Sequence, residues 1–186
     1  MNEETILHIG QALVAYNPGW CKGFFVTKDF IATAGHCLKD RPFDNVEVHL
    51  RNGTVMYGSI AAVDFQKDIG LIRVHPSHAQ QPVELSKSEL GMGYQVAHAQ
   101  LLTDRHDKGH PFNIEYGIFN KMVKPSLWAN QWTTEMLAME LQSQKGCSGS
   151  PIIHDGKVHG VLVAGNDFGE VFAVPSKYII DLIKGL

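Results

Sequence analysis

Val46-Glu47-Val48-His49-Leu50, closed by Arg51-Asn52-Gly53 and followed by the apolar runs Val55 to Val63 and Ile69 to Val74, carries the plainest structural signal in this chain. Val46, Val48 and Leu50 alternate with polar residues, which is the period of a strand with one buried face, and Asn-Gly favours a tight antiparallel turn. Toward the N-terminus the same pattern continues. Gln11 to Tyr16 runs into Asn17-Pro18-Gly19, and Gly23 to Val26 and Phe30 to Thr33 complete six strand candidates by Val74. Strands this short, separated by Gly, Pro and Asn, have the spacing of a small β-barrel or sandwich. Toward the C-terminus a second set follows the polar stretch His75 to Gly91. It comprises Tyr94 to Leu102, Asn113 to Val123, Glu135 to Gln142, Pro151 to His154, Val158 to Val163 and Glu170 to Val174.

Composition agrees. With 18 glycines and 19% charged residues, the chain suits many strands and turns better than charged surface helices. Its 186 residues are enough to bury a core without metal or disulfide staples. Sixteen basic against 19 acidic residues leave a net charge of -3, which offers no general attraction for nucleic acid or an anionic membrane surface. Cys21, Cys37 and Cys147 are an odd number without the paired short spacing of a zinc site, so at most one bridge forms within the chain. The last segment departs from the strand pattern. Ser176 is placed to cap a short helix in which Ile179, Ile180 and Ile183 share a face.

Three stretches carry chemistry. In Lys145-Gly146-Cys147-Ser148-Gly149-Ser150-Pro151 a serine stands between glycines on a tight turn, where little blocks the approach of a substrate. By itself this is more often an ordinary turn. In Thr33-Ala34-Gly35-His36-Cys37 a histidine ends an apolar strand among small residues, suited to accept a hydroxyl proton, although a lone histidine there is more often a packing residue. In Asp68-Ile69-Gly70-Leu71-Ile72 an acid opens an apolar strand. Such an acid usually faces solvent, but a buried one holds an imidazole in one tautomer.

Taken together and in this order, the three stretches closely resemble the histidine, aspartate and serine motifs of the trypsin-like (chymotrypsin-fold) serine peptidases. The likeness runs from Cys21 to the C-terminus. Val171-Phe172-Ala173-Val174-Pro175-Ser176 before a helix is similar to the bacterial high-temperature-requirement (HtrA) peptidases and compact bacterial and viral relatives, and the expectation is a bare catalytic domain. The resemblance implies an all-β fold of two six-stranded antiparallel barrels with a short C-terminal helix. Residues 1–80 would carry His36 and Asp68, and residues 81–186 would carry Ser148.

The family's chemistry then falls on particular residues. Ser148 is the expected nucleophile, His36 its base and Asp68 the orienting acid, with the N–H groups of Gly146 and Ser148 as the oxyanion hole. Val163, Ala164 and Gly165 are expected to pair with an extended polypeptide substrate. Gln142 and Ser143 are expected in the side-chain pocket, together with Asn166 and Glu170 if they point inward. Gln142 is uncharged, so a strong Arg/Lys preference is not expected, unless Glu170 points into the pocket. The 16-residue separation of Cys21 and Cys37 matches the family's bridge beside the histidine. Cys147 is a minor alternative nucleophile, and Asp64 an alternative acid.

No cofactor, metal, nucleic acid or membrane partner is expected, and the oligomeric state is left open. His106 and His110 read as members of a solvated loop rather than metal ligands, and Trp20, Trp128 and Trp132 as packing residues. The N-terminal stretch has no basic segment ahead of an apolar run, so a cytoplasmic location, or a virus-encoded one inside a host cell, is expected, with secretion if a signal has been removed. A Cys21–Cys37 bridge would point the other way, to an oxidising place. The rival reading is a catalytically silent peptide-binding protein of the same fold. An intact set of His36, Asp68 and Ser148 argues against it.

Overall fold

A computed structural model describes residues 6, 10–16, 19–75, 80–103, 112–127, 130–131, 134–141, 147–166 and 168–186. The first barrel is built from β1 (Gln11–Tyr16), β2 (Gly19–Phe25), β3 (Phe30–Ala34), β4 (Val46–Leu50), β5 (Val55–Asp64) and β6 (Ile69–Arg73). The second uses β7 (Gln95–Leu101), β8 (Phe112–Val123), β11 (Met136–Glu140), β12 (Pro151–His154), β13 (Lys157–Gly165) and β14 (Glu170–Pro175). Between β8 and β11 in the chain, β9 (Ser126–Leu127) and β10 (Asn130–Gln131) form a small ribbon that the strand pattern did not predict. The first barrel has the order β1-β2-β3-β6-β5-β4 and closes where β1 pairs with β4. The second has the order β11-β14-β13-β12-β7-β8 and closes where β8 pairs with β11. All pairings within the barrels are antiparallel, so the expected double six-stranded barrel is present. Among the described residues no helix is long and apolar enough to cross a membrane.

The alternation in β4 works as its residues require: Val46, Val48 and Leu50 are buried, while Glu47 and His49 are partly exposed. Closure asks long strands to bend, and β5 and β13 each carry a register shift, between Ile60 and Ala62 and between Leu162 and Ala164. One extra residue on one side of a ladder bends the strand and increases its twist.

A single apolar cluster fills the first barrel and continues across to the second. Phe24, Phe25, Ile31, Leu71 and Ile72 share it with Ala97, Ala99, Met136, Val161 and Val163. The second barrel has an interior of its own around Val96, Phe119, Leu137, Met139, Ile152 and Leu162. The connector between barrels is hydrogen-bonded to both. The Val83 N–H donates to the Phe25 carbonyl at 2.9 Å, and the Ser86 N–H donates to the Val158 carbonyl at 2.8 Å.

Three local expectations need correction. Strand β2 starts at Gly19 rather than Gly23, because Tyr16 pairs with Gly19 and the whole hairpin zips from its turn. Ser176 is not the helix cap. It is the first residue of the C-terminal helix (Ser176–Lys184), with Pro175 at the cap position, and its buried hydroxyl donates to the Val158 carbonyl at 2.8 Å. The buried face of that helix is Ile179 with Tyr178, Leu182 and Ile183, since positions 179, 182 and 183 fall on one side while Ile180 turns away from it.

Candidate active site

His36 lies in a single 3-10 turn, Gly35–Leu38, that continues directly from β3. Asp68 immediately precedes β6, the neighbour of β3, and Ala34 pairs with Ile69. The two residues therefore meet at the adjacent ends of paired strands. The His36 main-chain N–H donates to Asp68 Oδ1 at 2.6 Å, and Nδ1 lies 3.1 Å from Oδ1 and 2.9 Å from Oδ2. With only carboxylate oxygens facing it, Nδ1 carries the proton, and the Nε2 lone pair is left as the basic site. The Asp68 side chain is 9% exposed and that of His36 40%, so the acid is shielded and the imidazole reachable.

Two backbone features make this corner possible. Asp68 has a φ of 60°, a left-handed conformation that aspartate tolerates better than most residues. Gly35 approaches so closely that a Cβ there would meet the Ile69 nitrogen at 3.0 Å and the Asp68 carbonyl carbon at 3.1 Å.

Ser148 comes from the second barrel, on the turn entering β12. Residues 147–150 are held on two sides by main-chain bonds. The Lys22 N–H of β2 donates to the Ser148 carbonyl at 2.8 Å, and the Gly149 N–H donates to the Leu162 carbonyl at 2.7 Å. The Leu162 N–H returns a bond to the Ser150 carbonyl at 2.9 Å. Gly149 has a φ of +97°, and a Cβ there would fall 1.8 Å from the Lys22 carbonyl oxygen, so glycine is required twice over. Thr33, three residues before His36, completes the contact by donating its hydroxyl to that same Lys22 carbonyl at 2.8 Å.

Ser148 Oγ lies 3.5 Å from the Val163 carbonyl oxygen, at the outer limit of a hydrogen bond, which places the hydroxyl beside the segment Val163 to Gly165. Val163 is the unpaired residue of the β13 bulge. Ala164 and Gly165 pair with Phe172 and Val171 of β14, and no second strand among the described residues pairs with 163–165. Among the described residues, one edge of this segment is thus without a strand partner. Asn166 and Glu170 close the hairpin just beyond. Asn166 Oδ1 accepts the N–H groups of Phe168 and Glu170 at 3.0 and 3.1 Å, and its amide donates to Glu170 Oε1 at 3.3 Å. Glu170 is thus engaged by the turn itself.

Gln142, Ser143 and Gly146 lie outside the described residues, as do His106, His110, Trp128 and Trp132. Trp20 packs edge-on against His49, with ring centroids 4.7 Å apart. Asp64 is committed elsewhere. Its Oδ1 accepts the N–H groups of Gln66 and Lys67, both at 3.0 Å, and Oδ2 meets Lys67 Nζ at 3.2 Å. Burial pushes its carboxyl up, but these bonds outweigh that and hold it below the usual carboxylate range. Cys21 and Cys37 are joined, with Cα atoms 6.3 Å apart. Among the described residues they form, with His36, the one gathering of potential metal ligands, and joined sulfurs offer no thiolate.

Sequence reasoning missed Lys22. It is 4% exposed, and burial lowers the pKa of its ammonium, an effect only partly opposed by the nearby Cys147. Cys147, itself 2% exposed, belongs to the interior of the second barrel. The signal was a lysine directly after Cys21 inside what would otherwise be an apolar strand.

Residues 21–161 match the trypsin-like peptidase domain family. No curated protein matches the chain by sequence. Among solved structures it is similar to the Rv3671c protease of M. tuberculosis. The active form of that protein superimposes with a TM-score of 0.77 at 15% identity, covering 98% of this chain and 82% of that one. An inactive form gives 0.76 at 15% identity, covering 94% and 87%. At that identity the likeness is one of fold.

Proposed function

The chain belongs to the trypsin-like peptidase family, and from that premise we propose that it is a serine endopeptidase using Ser148, His36 and Asp68. The observation that carries the reading is the Asp68 carboxylate bonded to both the Nδ1 and the main-chain N–H of His36, which in the neutral imidazole directs the proton to Nδ1 and turns the Nε2 lone pair to the serine hydroxyl. A polypeptide lies as an extended strand along Val163, Ala164 and Gly165, so that backbone hydrogen bonds bring its scissile carbonyl to Ser148. Ser148 Oγ attacks that carbon as His36 Nε2 takes the hydroxyl proton, and Asp68 stabilises the resulting imidazolium.

The oxyanion of the tetrahedral intermediate is met by the N–H groups of Ser148 and Gly146, each such donor contributing about 3 kcal/mol of transition-state stabilisation. The C–N bond then breaks. His36 passes its proton to the departing amine, and an acyl ester remains on Ser148. A water molecule, deprotonated by His36 in turn, hydrolyses that ester and restores the serine. Gln142 and Ser143 contribute to the pocket for the side chain at the cleavage position. The engagement of Glu170 by Asn166 supports a preference that is not strongly basic.

The test is labelling by a fluorophosphonate probe, followed by cleavage of an unbiased peptide library. Wild-type protein is expected to label at Ser148 and to cut, and Ser148→Ala to do neither. Folded wild-type protein that neither labels nor cuts would favour the silent peptide-binding reading and overturn this one. Labelling at Cys147 by a thiol-directed probe, with loss of cleavage, would transfer the nucleophile's role to that residue.

A further inference from the structure

His36 stands in a turn that holds itself poorly. A 3-10 turn has strained hydrogen bonds, and here the bond that ends it, from the Lys39 N–H to the His36 carbonyl, is 3.5 Å long. Its orientation is set from outside. The His36 N–H is held by Asp68 Oδ1 at 2.6 Å, and the Cys37 side chain is bridged to Cys21 of β2. A third tie comes from Arg41, whose Nη1 donates to the Cys37 carbonyl at 3.2 Å and to the Ala15 carbonyl of β1 at 2.6 Å. Asp40, in the left-handed region at a φ of 56°, turns the chain just ahead of it.

The place that Arg41 reaches is the seam where the first barrel closes. Strand β1 pairs with β4 only from Ala12 to Val14, and Ala15 is the next residue. Opposite them on β2, Cys21 pairs with Val14 and Trp20 with Ala15, so bridge and guanidinium fasten the turn to neighbouring rungs of one hairpin. A guanidinium suits this task. Nη1 carries two N–H bonds in a fixed plane, one for each carbonyl, and its charge strengthens both.

We propose that Arg41 is a positioning residue for His36: by holding the Cys37 and Ala15 carbonyls together, it stops the histidine turn from pivoting about the Cys21–Cys37 bridge. A turn fixed only at the Asp68 bond and at the sulfur still rotates about the line joining them. A third point, the main-chain carbonyl, removes that rotation. Without it the imidazole swings, which misaims Nε2 and loosens Nδ1 from Asp68 while the substrate edge at Val163 to Gly165 is untouched. The effect on turnover rests on the serine-peptidase reading, but the effect on the hold between His36 and Asp68 does not.

The test compares wild type with Arg41→Met, which keeps the bulk of the stem without its donors, and Arg41→Lys, which keeps a cation able to reach one carbonyl. Each is read by steady-state peptide cleavage and by the magnetic resonance shifts of the His36 ring nitrogens, which report how fully the proton stays on Nδ1. Arg41→Met is expected to lower kcat about tenfold with KM within about twofold. Its ring shifts are expected to move from the Nδ1–H tautomer toward the average of the two tautomers. Arg41→Lys is expected between the two, about threefold below wild type in kcat.

Arg41→Met with kcat within about twofold of wild type, with unchanged ring shifts, or with its loss carried by KM, would overturn the proposal. Should Arg41→Met not fold, Arg41→Lys decides on the same two readouts, and a wild-type value in either would overturn it. A wild type that neither labels with the fluorophosphonate nor cuts would instead remove the peptidase reading, while the ring shifts still judge Arg41.

Discussion

The His36 corner and the Ser148 loop are held by opposite means. At the corner everything belongs to one barrel: two neighbouring strand ends, one side-chain carboxylate, and bonds to a ring nitrogen and an N–H. The serine loop is held almost wholly by main-chain groups, and these come from both barrels, Lys22 on one side and Leu162 on the other. The corner therefore depends on residue identity. The loop depends on backbone shape and on how the barrels seat against each other. Substitutions that change chemistry should strike the first, and those that change shape the second.

The largest expected effect is at the corner. Asp68→Asn keeps the shape of the side chain but presents an amide to Nδ1, which favours the wrong tautomer and withdraws the charge that stabilises the imidazolium. Turnover should fall by about 10⁴-fold with stability changed far less. Steady-state kinetics beside a thermal unfolding curve checks both halves, and unchanged turnover would mean that another acid holds His36. At the loop the comparable break is Gly149→Ala. Its Cβ meets a backbone oxygen that has no room to yield, at a φ that strains any side chain, so a loss of about 3 kcal/mol or more in stability is expected. A titration showing less than about 1 kcal/mol would mean that the loop rearranges, and that the contrast between the two regions is weaker than the geometry says.

The same contrast explains what could be read from the sequence. Alternation reports the two faces of a strand, so Val46, Val48 and Leu50 revealed β4 and the many short runs revealed both barrels. His36, Asp68 and Ser148 stood out because a short motif surrounds each. Lys22 did not, because the loop its main chain meets lies far along the chain, and periodicity carries no trace of that contact. The start of β2 was misjudged for a related reason: Lys22 interrupts the apolar run, and Gly19 to Lys22 are strand through their pairing with β1. Ser176 looked like a cap because serine favours that position, but a buried acceptor, the Val158 carbonyl, claimed its hydroxyl. Local preference gave way to a tertiary hydrogen bond.

A smaller effect tests whether the loop's clasp extends through Lys22 to the strand that leads into the corner. Thr33→Val removes one buried hydroxyl while keeping its volume, so the Lys22 carbonyl loses a donor. A loss of about 1–3 kcal/mol is expected. If turnover falls with stability, the clasp and the corner are one mechanical unit. If stability falls alone, the corner keeps its geometry without the clasp.

The smallest expected effect lies at the other seam, where the connector meets the second barrel, and it is read through pH. His159 is buried, which lowers its pKa from the ordinary 6.5, and the charges of His154 and Lys157 push the same way, against hydrogen bonds to the backbone of His154 and Ser88. An imidazole whose folded pKa is depressed binds fewer protons folded than unfolded. Below pH 6.5 the unfolded chain therefore takes up protons first, and stability falls as pH drops from about 6.5 to the lowered folded value, then levels. One group contributes at most about 1.4 kcal/mol per pH unit across that window. His159→Gln should flatten the wild-type slope by part of that amount, measured as the difference between the two proteins in unfolding titrations from pH 7 to 5. Equal slopes would mean that protonated His159 is accommodated in the fold, and that the connector seam does not depend on a neutral imidazole.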